Sequence, residues 1–242
     1  MNLLAIDTSS ANCSVTLRIG GDIQHLLDSG PAVHAQRLLA MIDELLSKSD
    51  KTLSDIDFLA CGIGPGSFTG LRVGVGVAQG LAYSAGLKVL GINSLLGYLS
   101  ADLQPGNYAV AVDARMGQLY NAGFKINDDD SVSETTETLV CNPEELNKLF
   151  GQHHTLVGSG WNIYSESLPA LIRGKLDVNI VKRTPEVSME RITDRLGKFS
   201  NSKHLLHWAS IKLASGEMPL EAERLVPFYV RNNVADKPKS IT

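Results

Sequence analysis

Two acidic residues stand at positions in the sequence where carboxylates could bind a metal ion. Asp7 ends the apolar run LLAID, and Asp113 ends a comparable run, YAVAVD, more than a hundred residues later. Acids at strand ends can hold Mg²⁺ across a cleft, which would suit phosphoryl transfer from ATP. Aspartate also forms turns in which its carboxylate accepts a hydrogen bond from the backbone that follows. The sequence leaves both interpretations open.

A glycine-rich segment raises the possibility of a phosphate site. Residues 62–82 read GIGPGSFTGLRVGVGVAQGLA, a loop that runs directly into a stretch of helical length. The loop lacks the lysine of a P-loop, and its glycines are spaced one residue too widely for a Rossmann fingerprint. A loop before a helix can still bind an anion through its N–H groups. Ser67 or Thr69 could instead cap the helix, and the spacing favours the cap.

The spacing of the histidines and cysteines does not indicate a metal site or a catalytic nucleophile. His34 begins a predicted helix, but Leu38 stands where a second ligand would complete an H-x-x-x-H pair. Cys13, Cys61 and Cys141 are widely spaced and form no CxxC pair. This pattern is typical of reduced thiols, so we expect a cytoplasmic protein. No catalytic triad is recognisable, so a peptidase gains no support.

Composition limits the possible functions. The chain has 242 residues, 43% of them hydrophobic, and a formal net charge of −4. A basic surface for non-specific nucleic-acid binding is therefore not expected, and a partner should hold most of any RNA. The first residues do not have the pattern of a secretion signal. The most apolar window, around 70–90, is interrupted by Arg72, Gln79 and Lys88, so no membrane span is expected.

The two halves of the chain begin with the same pattern. In each half an apolar run ends in aspartate, a turn follows, and a second strand returns. The first half continues in the order βββαβαβα, in which helical crossovers require parallel strand pairs. The sequence thus predicts an α/β protein of two duplicated lobes. Pro105 and Gly106 mark the boundary between a first lobe at 1–104 and a second at 105–216, with an extension at 217–242.

The hydrophobic periodicity and the turn signals also predict individual elements. In the first half they are strand 22–29, helix 33–50, a strand through 58–61, the helix after Phe68, strand 88–92 and a helix from Asn93 or Ser94. In the second half they are strands 107–113, 118–126 and 132–140, helix 143–150, strand 154–161 and helix 202–216.

The helix after Phe68 carries two stripes of small residues and almost no polar face. The stripes are Gly70, Gly74, Ala78 and Ala82, and Gly76, Gly80 and Ser84. A surface helix normally buries one face and exposes charges on the other. This helix should therefore be covered nearly all round. The sheet of its own lobe can cover one side, and either the other lobe or a partner chain must cover the other.

Five segments, taken together, resemble the TsaB family, formerly called YeaZ. They are LLAIDTSS, VHAQRLL, GIGPGSFTGLRVGVGVAQGLA, AVDARMGQLYNA and PFYVRNNVA, in the order of that family. The resemblance implies an actin-like (ASKHA) fold, related to hexokinase and Hsp70 ATPase domains, in which each lobe has a mixed sheet flanked by helices. It also implies synthesis of N6-threonylcarbamoyladenosine (t6A) at position 37 of tRNAs that read codons beginning with A.

The family resemblance implies a pseudoenzyme that works through partners. It would pair with TsaD, which carries the metal and transfers the carbamoyl group, and would form a homodimer when alone. The ATPase TsaE would join the assembly, and tRNA would bind only through the complex. The implied interface residues are His34, Leu38, Met41, Leu71, Arg72, Gly74, Val75, Gln79, Gly80 and Tyr83. On this view the glycines permit close helix-to-helix approach.

No cofactor is expected to bind this chain. Actin-like folds place an adenosine-binding turn where this sequence has VGSGWN, which makes Gly158 and Gly160 weak candidates, but Trp161 is bulky there. The alternative function is an active phosphotransferase of the actin fold, dependent on ATP and Mg²⁺, that uses Asp7 and Asp113.

Overall fold

Two mixed β-sheets, one in each half of the chain, form the framework of the computed structural model. The structure describes residues 1–29, 33–148, 154–168 and 201–231. The strands of the first sheet are β1 Leu3–Asp7, β2 Asn12–Ile19, β3 Asp22–Ser29, β4 Phe58–Gly64 and β5 Lys88–Asn93. Those of the second are β6 Gly106–Arg115, β7 Gln118–Ile126, β8 Val132–Glu134, β9 Leu139–Cys141 and β10 His154–Val157.

The two sheets share the arrangement of four strands, in which β4-β1-β2-β3 of the first corresponds to β10-β6-β7-β8 of the second. The first has the order β3-β2-β1-β4-β5, and the second has β10-β6-β7-β8 with β9 beside β7. In the first, β1 is antiparallel to β2 and parallel to β4. In the second, β6 is antiparallel to β7 and parallel to β10. The prediction of two lobes that each begin with an aspartate-terminated strand and a hairpin is confirmed.

Helices and short 3-10 turns connect the strands. The helices are α1 Val33–Lys48, α2 Phe68–Ala85, α3 Gly160–Ile163 and α4 Ser202–Ala214. The 3-10 turns are Leu53–Asp55, Ser94–Tyr98, Pro143–Lys148 and Ala222–Arg224. No helix in the described ranges is both long and apolar enough to cross a lipid bilayer.

Some of the predicted elements are wrong in type or extent. The helix expected from Asn93 or Ser94 is a 3-10 turn, because the Asn93 side chain caps Leu95 N and the segment then turns between the sheets. The described part of predicted helix 143–150 is likewise a 3-10 turn. The long strand predicted at 132–140 is split into β8 and β9, and the strand predicted at 154–161 ends at Val157, where the helical turn α3 takes over.

Helix α4 packs against the first sheet, although it follows the second in sequence. Successive side chains of a strand point to opposite faces. Leu4 and Ile6 therefore pack with α1 and α2, whereas Leu3 and Ala5 pack with α4. Backbone N–H of Ser202 also donates to Ser14 Oγ on β2 (2.9 Å). The chain thus returns to the first sheet, and α4 shares one core with Leu3 and Ala5 and with Val110 and Phe124 of the second sheet.

The inner stripe of α2 lies directly on the end of β1. Ser67 caps the helix, its Oγ accepting a hydrogen bond from Gly70 N (3.2 Å), as the favoured interpretation predicted. Thr8 Oγ1 donates to Gly70 O (2.7 Å) and occupies the space where a Cβ of Gly74 would stand. Ser9 O fills the same position at Gly66. These glycines let the chain pack closely on itself.

Substitution by alanine should have opposite effects on the stability of the protein at two glycines of α2, Gly74 and Gly76. A methyl group at Gly74 overlaps buried Thr8, so Gly74→Ala should destabilise the protein by about 1–3 kcal/mol through overpacking. Gly76 has nothing within 4 Å of an added Cβ, so Gly76→Ala should stabilise it by about 0.5–1 kcal/mol. Urea unfolding of the two variants measures both effects. Equal shifts of the same sign would contradict the packing described for α2.

Candidate functional site

The two candidate metal-binding aspartates both bond the turn that follows them. Asp7 is fully buried, and its Oδ1 accepts a hydrogen bond from Ser9 N (3.0 Å). Asp113 Oδ1 accepts one from Arg115 N (2.8 Å). Each carboxylate thus reaches the backbone two residues ahead, as a turn-forming aspartate does. The geometry favours the turn interpretation over the metal interpretation at both positions.

Asp113 is further engaged inside the second lobe. Tyr164 OH donates to its Oδ1 (2.7 Å), and an Arg115 guanidinium nitrogen lies 3.4 Å from its Oδ2. Desolvation raises the pKa of Tyr164 to about 12, and the hydrogen bond to Asp113 and the charge of Asp113 add to the shift. The phenol therefore stays protonated and keeps donating at neutral pH. Across the described residues, no group of three or more His, Cys, Asp and Glu is arranged to hold a metal ion.

The second glycine turn is also used for internal packing. A Cβ at Gly158, whose φ is +101°, or at Gly160 would overlap the backbone of Ala111 on β6. Trp161, which follows, is buried and donates from Nε1 to Val157 O (2.9 Å) and to Ala109 O (3.2 Å). Its indole belongs to the core of the second lobe. Gly158 and Gly160 thus let this turn sit against β6, and the geometry gives adenosine binding no support.

None of the three cysteines is set up as a nucleophile. All three are buried. Burial raises the pKa of Cys13 and of Cys141 to about 11, and the negative charge of Asp7 adds to the shift at Cys13. Burial, followed by the charge of Asp7, also raises the pKa of Cys61. The thiolate is the reactive form, so these thiols are inert at neutral pH.

The outer face of α2 is the feature that stands out as a candidate site. We define this face as Thr69, Arg72, Gly76, Gly80, Tyr83 and Ser84, which are all exposed. Tyr83 is 80% exposed. An added Cβ at Gly76 or Gly80 would meet nothing within 4 Å. The face is therefore a smooth strip of bare backbone with one large aromatic side chain and one charge.

Apolar side chains border this strip. Val73, Val77 and Leu81 of α2 are half-buried at its margins. Helix α1 packs beside α2, and its Leu39 is 51% exposed. Apolar surface of this kind, next to polar residues, is typical of a protein-docking site.

The implied interface residues divide into separate groups in the structure. Arg72, Gly80 and Tyr83 lie on the outer face of α2. Gln79 is half-buried, and its Nε2 donates to Leu225 O of the same chain (2.8 Å). His34 lies in α1, and its side chain is outside the described residues.

The other five implied residues are buried in the core of the first lobe and do not belong to the exposed face of α2. They are Leu38, Met41, Leu71, Gly74 and Val75. They face the sheet because the inner stripe of α2 and the apolar side of α1 close over it. Thr69, Gly76 and Ser84 belong to the exposed face but were missing from the implied set. The second small-residue stripe contains Gly76 and Ser84 and indicates these two, whereas no sequence signal indicates Thr69.

Comparison with known proteins identifies the family. The tRNA threonylcarbamoyladenosine biosynthesis protein TsaB of Haemophilus influenzae is 34% identical over 248 residues, which cover 98% of this chain and 96% of that protein. TsaB of Escherichia coli is 35% identical over 245 residues, which cover 98% and 97%. The chain belongs to the TsaB family. A family model described as TsaD, tRNA N6-adenosine threonylcarbamoyltransferase, also matches residues 31–239.

A solved structure agrees with this assignment. YeaZ from Pseudomonas aeruginosa superposes with a TM-score of 0.74 at 31% identity, covering 94% of this chain and 99% of that one. The two mixed sheets flanked by helices have the α/β ASKHA fold predicted from the resemblance. In this TsaB chain, Leu38 stands where an H-x-x-x-H pair would need its second histidine, and it is completely buried.

The buried thiols make a simple chemical prediction. Iodoacetamide at pH 8 should leave Cys13, Cys61 and Cys141 unmodified in the folded TsaB chain, because burial disfavours the thiolate at all three. The same reagent should modify all three in urea. Mass spectrometry counts the adducts, and Ser47→Cys, at an exposed position on α1, supplies a thiol that must react in the folded state. Rapid modification of a native cysteine would contradict the burial described here.

Proposed function

We propose that this TsaB-family chain acts in t6A biosynthesis as a non-catalytic subunit that pairs with TsaD through the outer face of α2. The observation that carries the proposal is the exposure of Gly76 and Gly80 beside Tyr83. This face carries one charge, that of Arg72, on an otherwise uncharged helix surface. A smooth, uncharged helix face is suited to a second helix, because small residues let two backbones approach closely.

Family membership supports the pathway. Both bacterial relatives carry the name tRNA threonylcarbamoyladenosine biosynthesis protein, and the match extends over nearly the whole chain. The modified nucleoside in this proposal is t6A at position 37 of tRNAs that read codons beginning with A. With a net charge of −4, the chain itself is a poor candidate for strong tRNA binding, so tRNA would bind through the complex.

The arrangement of reactive residues supports a non-catalytic role. Asp7 and Asp113 are committed to their own turns, and aliphatic Leu38 fills the position of the missing histidine. A phosphotransferase that uses the two aspartates with Mg²⁺ and ATP gains no support from this geometry. The chemistry would therefore belong to TsaD, with TsaE as a further member of the assembly.

The same face offers a route to a homodimer. In a two-fold dimer each subunit contributes the same patch, so α2 would pack on α2 of a second copy. Tyr83 is suited to be an anchor, because tyrosine supplies large contact area at low entropic cost and is enriched at binding hot spots. Self-association and pairing with TsaD would then compete for one surface.

Leucine at Gly80 or Gly76 should prevent pairing without harming the fold. Its side chain points into open space in the free chain, and leucine is a far better helix former than glycine. At a helix-to-helix contact the same side chain would hold the backbones apart. We expect affinity for TsaD to fall by about tenfold to a hundredfold, equivalent to about 1.4–2.8 kcal/mol. Calorimetry and size-exclusion chromatography with purified TsaD measure the change.

Gly21→Leu is the matched control for these variants. Gly21 lies in the turn between β2 and β3, is exposed, and also has nothing within 4 Å of an added Cβ. This variant should bind TsaD as the parent chain does. Undiminished binding by both Gly76→Leu and Gly80→Leu would refute the proposed docking face. Micromolar binding of Mg-ATP to the isolated chain would favour the phosphotransferase instead.

A further inference from the structure

The last described residues form an extended strap that begins firmly on the first lobe. We call residues 220–231 the C-terminal strap. Leu220 pairs with Val89 on β5 through two backbone hydrogen bonds (2.7 and 2.9 Å). Ala222 and Leu225 are buried in the core beneath α2. The start of the strap is thus part of the first lobe's fold.

The strap then follows α2 to the glycine-rich loop. Phe228 N donates to Ile63 O at the end of β4 (2.7 Å). The ring of Tyr229 lies 5.6 Å from that of Phe68, and Tyr229 OH accepts from Arg72 Nε (3.1 Å). Backbone and side-chain contacts therefore fix the strap as far as the first turn of α2.

Two residues later the strap reaches the second lobe. Arg231 Nη2 donates to Gln118 Oε1 (2.6 Å), and Nη1 donates to Met116 Sδ (3.5 Å). Met116 lies in the turn between β6 and β7, and Gln118 is the first residue of β7. Because the strap is anchored on the first lobe by Phe228 and Tyr229, Arg231 ties the two lobes together.

The turn that Arg231 contacts is strained. Arg115 and Met116 have φ values of 65° and 54°, in the left-handed region that non-glycine residues rarely adopt. Such conformations cost free energy and persist where surrounding contacts hold them in place. Asp113 holds one side of the turn by accepting from Arg115 N, and Arg231 holds the other through Met116 and Gln118.

We propose that the C-terminal strap is a latch that fixes the two lobes relative to each other. Among the described residues, the lobes also meet in the core that α4 forms with Leu3 and Ala5 of β1 and with Val110 and Phe124 of the second sheet. Asn93 at the end of β5 also donates from Nδ2 to Thr138 Oγ1 of the second lobe (2.7 Å). Two lobes joined in this way can still undergo hinge motion. The latch adds a further attachment at the ends of β4 and β6, and this attachment restricts that rotation.

The latch is independent of the proposed function. It concerns motion within one chain and requires neither TsaD nor a dimer. Its consequence is that both lobes move as one body, so whatever binds the α2 face meets a rigid protein.

Spin labels on the two lobes test the latch in the full chain. Ser47→Cys on α1 and Lys125→Cys on β7 are exposed positions, whereas the three native cysteines are buried. Pulsed electron paramagnetic resonance then gives the distance distribution between the lobes, with excess unlabelled chain to suppress distances between molecules. We expect a single narrow distribution for the parent chain. Arg231→Ala should broaden and shift it.

Hydrogen exchange supplies a second readout. In Arg231→Ala, amides around Gln118 should exchange roughly tenfold faster or more, the change expected from losing a charge-assisted hydrogen bond. Arg224→Ala, at an exposed arginine earlier in the strap, is the matched control and should change neither measurement. Tyr229→Ala removes the contacts of the strap with Phe68 and Arg72 but leaves Phe228 N bonded to Ile63 O, so it should widen the distribution less than Arg231→Ala does.

Three outcomes have distinct meanings. A narrow, unshifted distribution together with unchanged exchange in Arg231→Ala refutes the latch. Equal widening in Arg231→Ala and in the control Arg224→Ala also refutes it, because the effect would then not depend on the contact with the second lobe. Binding of TsaD by the Gly80→Leu variant decides the docking face separately, so either proposal can fail without the other.

Discussion

The structure depends on one close approach, in which backbone glycines pack around the end of β1. Gly62, Gly66 and Gly74 leave room for Asp7, Ser9 and Thr8 in turn, and a Cβ at any of the three would collide with its neighbour. This contact brings the loop after β4 and the helix α2 directly onto the first strand. It also sets the rotation of α2, because once Gly74 faces inward, Gly76 and Gly80 must face outward. The candidate docking face is thus a geometric consequence of the core.

The second lobe contains a similar close approach of glycines to a strand, but a buried tryptophan follows it. Gly158 and Gly160 approach Ala111 on β6 much as Gly62 and Gly66 approach the end of β1. There the following residue is Trp161, whose indole fills the core and whose N–H is satisfied by two backbone carbonyls. The duplicated framework therefore has its strand-to-helix turns occupied by the chain's own groups. Glycine here serves internal packing, and the open surface is left to α2.

The sequence predicts the framework well, because strand-ending aspartates, turns and helical crossovers are local signals. It predicts the orientation of α2 poorly. A helix that is apolar nearly all round has no periodicity to show which small-residue stripe faces the sheet. The interface implied by the family resemblance includes Leu71, Gly74 and Val75, which lie in the core. The contacts of α4 with the first lobe could not be predicted for another reason. Its contacts with Ser14 and Leu99 span more than a hundred residues, and no local pattern encodes them. The hydrogen bond between Arg231 and Gln118 likewise cannot be predicted from a local sequence pattern.

Arg72 contacts both the candidate docking face of α2, to which it belongs, and the C-terminal strap. Its guanidinium carbon lies 3.7 Å from the centre of the Phe68 ring, and its Nε donates to Tyr229 OH. An arginine held in this way has already lost most of its side-chain freedom, so a partner that uses its charge pays less entropy on binding. A partner carboxylate that pulled Arg72 away from Phe68 would instead break the cation–π contact and the link to the strap. The favourable geometry is therefore one in which the partner approaches Arg72 where it lies, with the strap in place. Docking on α2 and order in the strap would then support each other through this one side chain.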